Sequence, residues 1–60
     1  MRIYVNDQPM ELGPGMTVRH ALIQSGLLDA VTAGKKVYDQ WGNEVGLDGA
    51  LNSEGKYYVK

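Results

Sequence analysis

The segment of residues 13–15 (Gly-Pro-Gly), followed directly by a helical pattern, constrains the fold of this chain most strongly. Glycine and proline together favour a turn. Thr17 is a natural N-cap, because its hydroxyl can accept a hydrogen bond from the free amides of a first helical turn. Four residues then recur at the spacing of one helical face: Val18, Ala21, Leu22 and Ser25. Gly26 can end this helix in a left-handed conformation. The sequence therefore predicts a turn that leads into the main helix.

The residues before this turn predict a hairpin of two strands. Met1, Ile3 and Val5 alternate with Arg2, Tyr4 and Asn6. A period of two is typical of a strand with one buried face, here the apolar one. Residues 6–9 (Asn-Asp-Gln-Pro) predict a turn, since Asn and Asp bond to nearby backbone and proline cannot donate to a strand ladder. Met10 and Leu12 then resume the alternation and are expected to face inward.

The residues after the main helix predict mostly strands. Residues 27–33 fit a second short helical turn that Gly34 ends. The strands that follow are predicted at residues 36–40, with Val37 inward, and at 44–47, with a turn at 41–43 between them. The last strand is predicted at 56–60, with Tyr57 and Val59 inward and Lys56, Tyr58 and Lys60 outward. Leu51 is expected to place one more apolar side chain in the core.

These elements predict an α+β fold in one domain, residues 1–60, with a mixed sheet of four or five strands on one main helix. The order along the chain is ββαβ(β)β. One helix beside a small sheet buries the helical stripe and one sheet face, which suits a chain this short. If the first and last strands pair in parallel at the centre of the sheet, the arrangement is a β-grasp.

Composition excludes several functional classes. There is no cysteine among the 60 residues, which removes disulfides, thiolate catalysis, iron–sulfur ligation and cysteine-based zinc sites. The formal net charge of −1 argues against binding to duplex nucleic acid, which needs a basic surface. No apolar run approaches the roughly 20 residues of a membrane span, and the N-terminus has a strand pattern, not that of a signal peptide. We therefore expect a cytoplasmic protein without a membrane association.

The element order and several short runs resemble the ubiquitin-like β-grasp superfamily. The runs are residues 1–8 (MRIYVNDQ), 15–18 (GMTV), 42–45 (GNEV) and 57–59 (YYV), together with Leu51 and Gly55. Similar runs occur in the sulfur carriers of thiamine and molybdopterin biosynthesis, in TGS domains and in the amino-terminal part of plant-type ferredoxins. The resemblance implies a β-grasp fold. It also implies two alternative functions, a degenerate or processed sulfur carrier and a TGS-like binder of a ligand or RNA.

The sequence departs from the functional motifs of these relatives. The sulfur carriers act through a C-terminal Gly-Gly, whereas this chain has Tyr58-Val59-Lys60 at that place. The ferredoxins need four cysteines, and this chain has none. The sulfur-carrier alternative therefore requires a longer encoded chain.

Three groupings invite a chemical interpretation, and for each a structural role is the better expectation. Residues 13–15 fit neither the dinucleotide fingerprint nor the P-loop, so we expect a plain turn. His20, the single histidine, has no second histidine or cysteine beside it and is expected to be a solvated helix residue. The spacing of four acidic residues does not fit a calcium loop, so we expect solvated turn carboxylates: Asp39, Glu44, Asp48 and Glu54. We predict no catalytic residues, no enzyme activity, no cofactor and no metal.

The aromatic residues are the candidates for a binding site. Tyr4 and Tyr58 are predicted to point away from the core on neighbouring strands, and Tyr38 and Trp41 flank the later hairpin. Outward aromatics on a sheet can pack across strands, anchor a protein partner or stack on bases. Our leading interpretation is a small non-catalytic protein that binds a protein partner through these four residues. We expect a monomer, or a weak homodimer formed through an uncovered edge strand.

Overall fold

The computed structural model describes all residues, 1–60, as an α+β fold with two helices and a mixed five-stranded sheet. The strands are β1 (Arg2–Val5), β2 (Gln8–Glu11), β3 (Val37–Asp39), β4 (Glu44–Val45) and β5 (Lys56–Val59), and the helices are α1 (Val18–Ser25) and α2 (Leu28–Thr32). The predicted order ββαβ(β)β is corrected to ββααβββ. The second helical turn forms a helix of its own, and the doubtful fourth strand is present, although it has two residues instead of four.

The sheet places the first and last strands together at its centre. The strand order is β2-β1-β5-β3-β4, and β1 and β5 are parallel, whereas the other neighbours are antiparallel. Tyr4 lies opposite Lys56, and Tyr38 lies opposite Tyr58. The first and last strands are thus a parallel pair at the centre of the sheet. The connection between β1 and β5 carries both helices.

Alternation along the central strands divides the sheet into an apolar face and a polar one. The core contains the inward residues of β1, β3 and β5, the β2 flank and one stripe of α1: Ile3, Val5, Leu12, Val18, Ala21, Leu22, Val37, Tyr57 and Val59. This set confirms most of the predicted inward positions of the strands and of the main helix. Three predicted members, Met1, Met10 and Ser25, are only partly buried. Ten further apolar side chains, Leu51 and three from α2 among them, pack against this core without full burial.

Helix α1 begins after Thr17 and ends at Gly26, as predicted, but its first amides bond to a distant segment. Gly26 has φ +78°, a left-handed conformation that glycine adopts without steric cost. Thr17 is the N-cap, with an extended backbone. The first two amides of the helix, of Val18 and Arg19, donate to the backbone oxygens of Gly49 and Leu47 at 3.2 and 2.9 Å. Capping therefore comes partly from the segment before β5, a contact that local sequence cannot indicate.

The hairpin between β1 and β2 is tighter than predicted. Its turn is Asn6-Asp7 alone, and both residues have positive φ, +49° and +69°, as a two-residue type I′ turn requires. Pro9, predicted within the turn, lies inside β2 opposite Tyr4. Met1 and Leu12 exchange both backbone hydrogen bonds. Hydrogen-bonded and non-hydrogen-bonded pairs alternate along an antiparallel ladder, so Tyr4 and Pro9 form a non-hydrogen-bonded pair and the Pro9 nitrogen faces the free edge. Proline is tolerated there because no ladder bond is lost.

The two helices are short. Neither has the length and apolar character that a segment needs in order to cross a lipid bilayer.

Candidate functional site

Three tyrosines lie on the sheet face that is turned away from the core. Tyr4, Tyr38 and Tyr58 are half-buried and come from β1, β3 and β5, while both helices pack against the opposite face. Tyr38 and Tyr58 are direct cross-strand neighbours. We call these three residues the tyrosine face. The structure thus brings together three of the four predicted site residues.

Two lysines border the tyrosine face along the central strand. Lys56 and Lys60 precede and follow Tyr58 by two positions, so alternation directs all three to the same side of the sheet. Lys56 lies opposite Tyr4 on β1. The Lys60 ammonium nitrogen lies 5.8 Å from the centre of the Tyr38 ring, within the range of a cation–π contact. The sequence analysis placed these lysines outward but did not include them in the site.

The other charges on this face are paired. Arg2 Nε lies 3.0 Å from Glu11 Oε1, and Lys36 Nζ lies 3.8 Å from Glu44 Oε1. The hydrogen bond to Glu11 is the main cause that raises the pKa of Arg2 above its usual value. Lys56 and Lys60 form no ion pair. The cations of this face that have no acidic neighbour are therefore Lys56 and Lys60.

Trp41, the fourth predicted residue, lies beside the tyrosine face and not within it. It occupies the turn between β3 and β4 and is 72% exposed. It lines a groove of about 320 Å³ whose other walls include Gln40, Lys56 and the loop of residues 52–55. We call this the Trp41 groove. Lys56 borders both the groove and the tyrosine face, whereas Asp39, Val45 and Tyr57, which also line the groove, occupy core-side positions of their strands. The groove therefore meets the tyrosine face at Lys56 and does not lie on it.

The loop that forms one wall of the Trp41 groove is fixed by hydrogen bonds. The buried Tyr57 hydroxyl accepts a hydrogen bond from the Asn52 amide at 3.0 Å, and the Gly55 amide donates to the Asn52 carbonyl at 2.9 Å. On the other side, Gln40 Oε1 accepts from the Lys56 amide at 3.1 Å. Sequence reasoning missed this loop as part of the site. Its Gly and Asn residues indicated only a turn.

The acidic residues weighed as a cation site serve separate local contacts. Asp39 Oδ1 accepts hydrogen bonds from the Trp41 and Asn43 amides, both at 2.9 Å, and so fixes the turn that carries Trp41. Asp48 lies 3.5 Å from Arg19. No three histidine or acidic side chains come together as a metal site would need.

The N-terminus of α1 has few free amides with which to bind an anion, although the glycines that precede it invited that interpretation. An anion site there would use the unbonded amides of the first helical turn. The amides of Val18 and Arg19 already donate to backbone oxygens, and the Ala21 amide donates to the Thr17 carbonyl. The expectation that residues 13–15 form a plain turn agrees with this arrangement.

His20 has a specific structural contact that the sequence analysis did not predict. Its Nδ1 accepts a hydrogen bond from the Thr17 amide at 3.0 Å and lies 3.2 Å from the Thr17 hydroxyl. It therefore occupies the third helical position of a capping box, where Glu or Gln is the common residue. Accepting at Nδ1 requires the ring to carry its proton on Nε2. The signal for this role was the three-residue spacing from Thr17.

We expect His20→Ala to lower the free energy of unfolding by about 0.5–1 kcal/mol, because the Thr17 amide loses its acceptor. His20→Gln should keep most of this stability, since a glutamine at the same position can accept the same bond. Urea unfolding of the three proteins at neutral pH measures the difference. Identical midpoints for the alanine variant and the wild type would show that the contact contributes nothing.

Comparison with protein-family models, with curated proteins and with solved structures finds no match to this chain.

Proposed function

We propose that this chain is a ubiquitin-like β-grasp domain that acts without catalysis, by binding another protein through the tyrosine face and the Trp41 groove. The support for the fold assignment is the central parallel pair of first and last strands, with the helical connection packed on one side of a mixed sheet. The function rests on the surface that this arrangement leaves uncovered.

The observation that carries the proposal is the grouping of aromatic side chains on that surface. Tyrosine and tryptophan are enriched at the energetically dominant positions of protein interfaces, because they bury a large area and keep a polar group for a hydrogen bond. Their few rotatable bonds make ordering them inexpensive in entropy. Tyr4, Tyr38 and Tyr58 are already half-buried on rigid strands, so a partner would meet a largely preformed surface.

Cross-strand packing alone explains part of this surface. The Tyr38–Tyr58 pair stabilises the sheet by an amount on the order of 0.2–1 kcal/mol whether or not a partner exists. Packing does not explain Trp41, which is 72% exposed in a turn and lines a groove that meets the tyrosine face at Lys56. Binding to a partner accounts for both features.

A second copy of this chain is a poorer partner than another protein. Pairing through β2 would need the outward backbone groups of that edge, and Pro9 removes one of its amides. The other edge strand, β4, has only two residues. Both edges are therefore short or blocked, and we propose that the domain binds its partner as a monomer.

We expect the double variant Tyr4→Ala, Tyr58→Ala to lose the partner in an affinity capture with the immobilised domain, and Trp41→Ala to weaken it. An interface anchor of this kind contributes about 1–2 kcal/mol or more, so each truncation should reduce binding roughly tenfold. Mass spectrometry of the captured proteins gives the readout, and circular dichroism verifies that each variant is folded.

Ile23→Ala is the matched control for this experiment. Ile23 is the other large apolar side chain with high exposure, 57%, and it lies on α1, away from the tyrosine face. The Ile23→Ala variant should capture the same proteins as the wild type. If the tyrosine variant is folded and still captures every protein that the wild type does, the proposal fails.

A further inference from the structure

We infer that the partner presents an acidic, extended segment to the tyrosine face, with carboxylates that pair with Lys56 and Lys60 and an apolar side chain that packs on Tyr58. This inference rests on the proposed function and specifies the chemistry of the partner. It is carried by the distribution of charge over the domain.

The cations of this acidic chain are concentrated on one surface. The chain has six Lys and Arg and seven Asp and Glu residues. Strand positions place four of the six cations on the open sheet face but only two of the seven acids. The cations are Arg2, Lys36, Lys56 and Lys60, and the acids are Glu11 and Glu44. The open face is thus positive on a domain whose net charge is −1, which favours a negatively charged partner.

Two of these four cations have no ion pair within the domain. Arg2 and Lys36 have carboxylates within 4.0 Å, whereas Lys56 and Lys60 have none. Both lysines are exposed, so a partner's carboxylate could reach either ammonium group without first breaking an ion pair within the domain. The Lys60 ammonium nitrogen lies 5.8 Å from the centre of the Tyr38 ring, so it is already placed beside the tyrosine face.

The spacing of the two lysines indicates the shape of the partner. Four residues along a strand span about 13 Å, and Tyr58 lies midway on the same face. An extended segment has the same repeat, so its side chains at positions i, i+2 and i+4 would meet Lys56, Tyr58 and Lys60 in turn. The pattern expected in the partner is therefore acid, any residue, apolar, any residue, acid.

A single-stranded nucleic acid fits this surface less well than an acidic peptide. Tyrosines and lysines on a sheet can stack on bases and pair with phosphates. A polyanion longer than the site would, however, also run past acidic groups beyond the strand ends, Asp7 in the turn between β1 and β2 and Glu54 in the loop before β5. A peptide with only two carboxylates carries negative charge only at the positions that meet Lys56 and Lys60.

The test uses a labelled seven-residue peptide with glutamate at its second and sixth positions, leucine at the fourth, and glycine, serine or threonine elsewhere. A matched peptide replaces both glutamates with glutamine, and a uridine decamer serves as the nucleic-acid probe. Titration into the isotopically labelled domain, followed by amide NMR shifts at two salt concentrations, locates and measures binding.

We expect the acidic peptide to shift the amides of β5 and of its neighbours β1 and β3, with an affinity that falls as salt rises. The glutamine peptide should bind at least about tenfold more weakly, and Lys56→Glu, Lys60→Glu should weaken the acidic peptide by a similar factor. Arg19→Glu, Lys35→Glu is the charge-matched control, because both residues are exposed and lie away from the open sheet face, on α1 and in the connection between α2 and β3. It should leave the affinity unchanged.

Three results would overturn the inference: equal binding of the two peptides, shifts confined to other surfaces, or tighter binding of the uridine decamer than of the acidic peptide. These outcomes are separable from a failure of the proposed function. Suppose that the double variant Tyr4→Ala, Tyr58→Ala loses the captured partner while the double variant Lys56→Glu, Lys60→Glu retains it. The tyrosine face then binds a protein, but the inference that this protein presents an acidic segment is wrong.

Discussion

Leu22→Ala is expected to lower the free energy of unfolding by about 2–5 kcal/mol, the usual cost of emptying a buried leucine site. Leu22 is 1% exposed and belongs to the four largest fully buried side chains. It lies on the α1 stripe that faces the central strands. A domain of 60 residues has a total stability of roughly 3–9 kcal/mol. We therefore expect the variant to lose a large share of the stability of the domain and to unfold at a much lower urea concentration than the wild type.

Ile23→Ala provides the control for this prediction within the same helix. Ile23 follows Leu22 directly but is 57% exposed, so its truncation should change stability by only about 0.5 kcal/mol. Urea unfolding, followed by circular dichroism, measures both variants. Equal losses at the two positions would mean that α1 does not pack on the sheet through the stripe described above.

Gly55→Ala is expected to destabilise the domain by about 1–3 kcal/mol, the usual cost of overpacking. A Cβ atom at this position would lie 2.9 Å from the Asn52 carbonyl oxygen and 2.9 Å from the Tyr57 hydroxyl oxygen. Neither neighbour can yield easily, because the carbonyl is backbone and the Tyr57 side chain is buried and bonded to the Asn52 amide. The loop of residues 52–55 must therefore shift.

This shift should also be visible in the candidate site. The loop forms a wall of the groove that Trp41 lines, and Trp41 is the single tryptophan of the chain. Its fluorescence in the folded state should therefore differ between Gly55→Ala and the wild type. Gly46→Ala is the matched control, since a Cβ there meets no atom within 4 Å. If the two glycine variants were equally stable, the contact between Gly55 and Tyr57 would not be tight in solution.

The predicted parts of the candidate site are those that depend on alternation within one strand. Tyr57 and Val59 were expected inward, and Tyr58 outward, from the period of two alone, as was Tyr4 in the first strand. The same pattern also predicted that Lys56 and Lys60 point outward. They were not included in the candidate site because they stand out only once Arg2 and Lys36 are seen to form ion pairs with Glu11 and Glu44, and those pairs join other strands.

Local sequence also determined the helix, because its stripe and its end are properties of adjacent residues. Val18, Ala21 and Leu22 form the buried face, and Gly26 ends the helix with positive φ. The start of the helix is different, because the segment of residues 47–49 bonds to its first amides and His20 accepts from Thr17. The first of these contacts joins residues about thirty positions apart, beyond the reach of any helical pattern.

The sequence by itself determined which side chains of each strand face the core, since apolar burial favours only one of two alternations. It also determined the hairpin, although not the short turn that places Pro9 within β2. Apart from this hairpin, only the tertiary structure decided which strands are neighbours. It set Tyr38 beside Tyr58 and Lys56 between Tyr4 and the Trp41 groove. It also set carboxylates beside Arg2 and Lys36 but not beside Lys56 and Lys60. The reason is that strand pairing joins residues far apart in the chain, and the candidate site is made of such pairs.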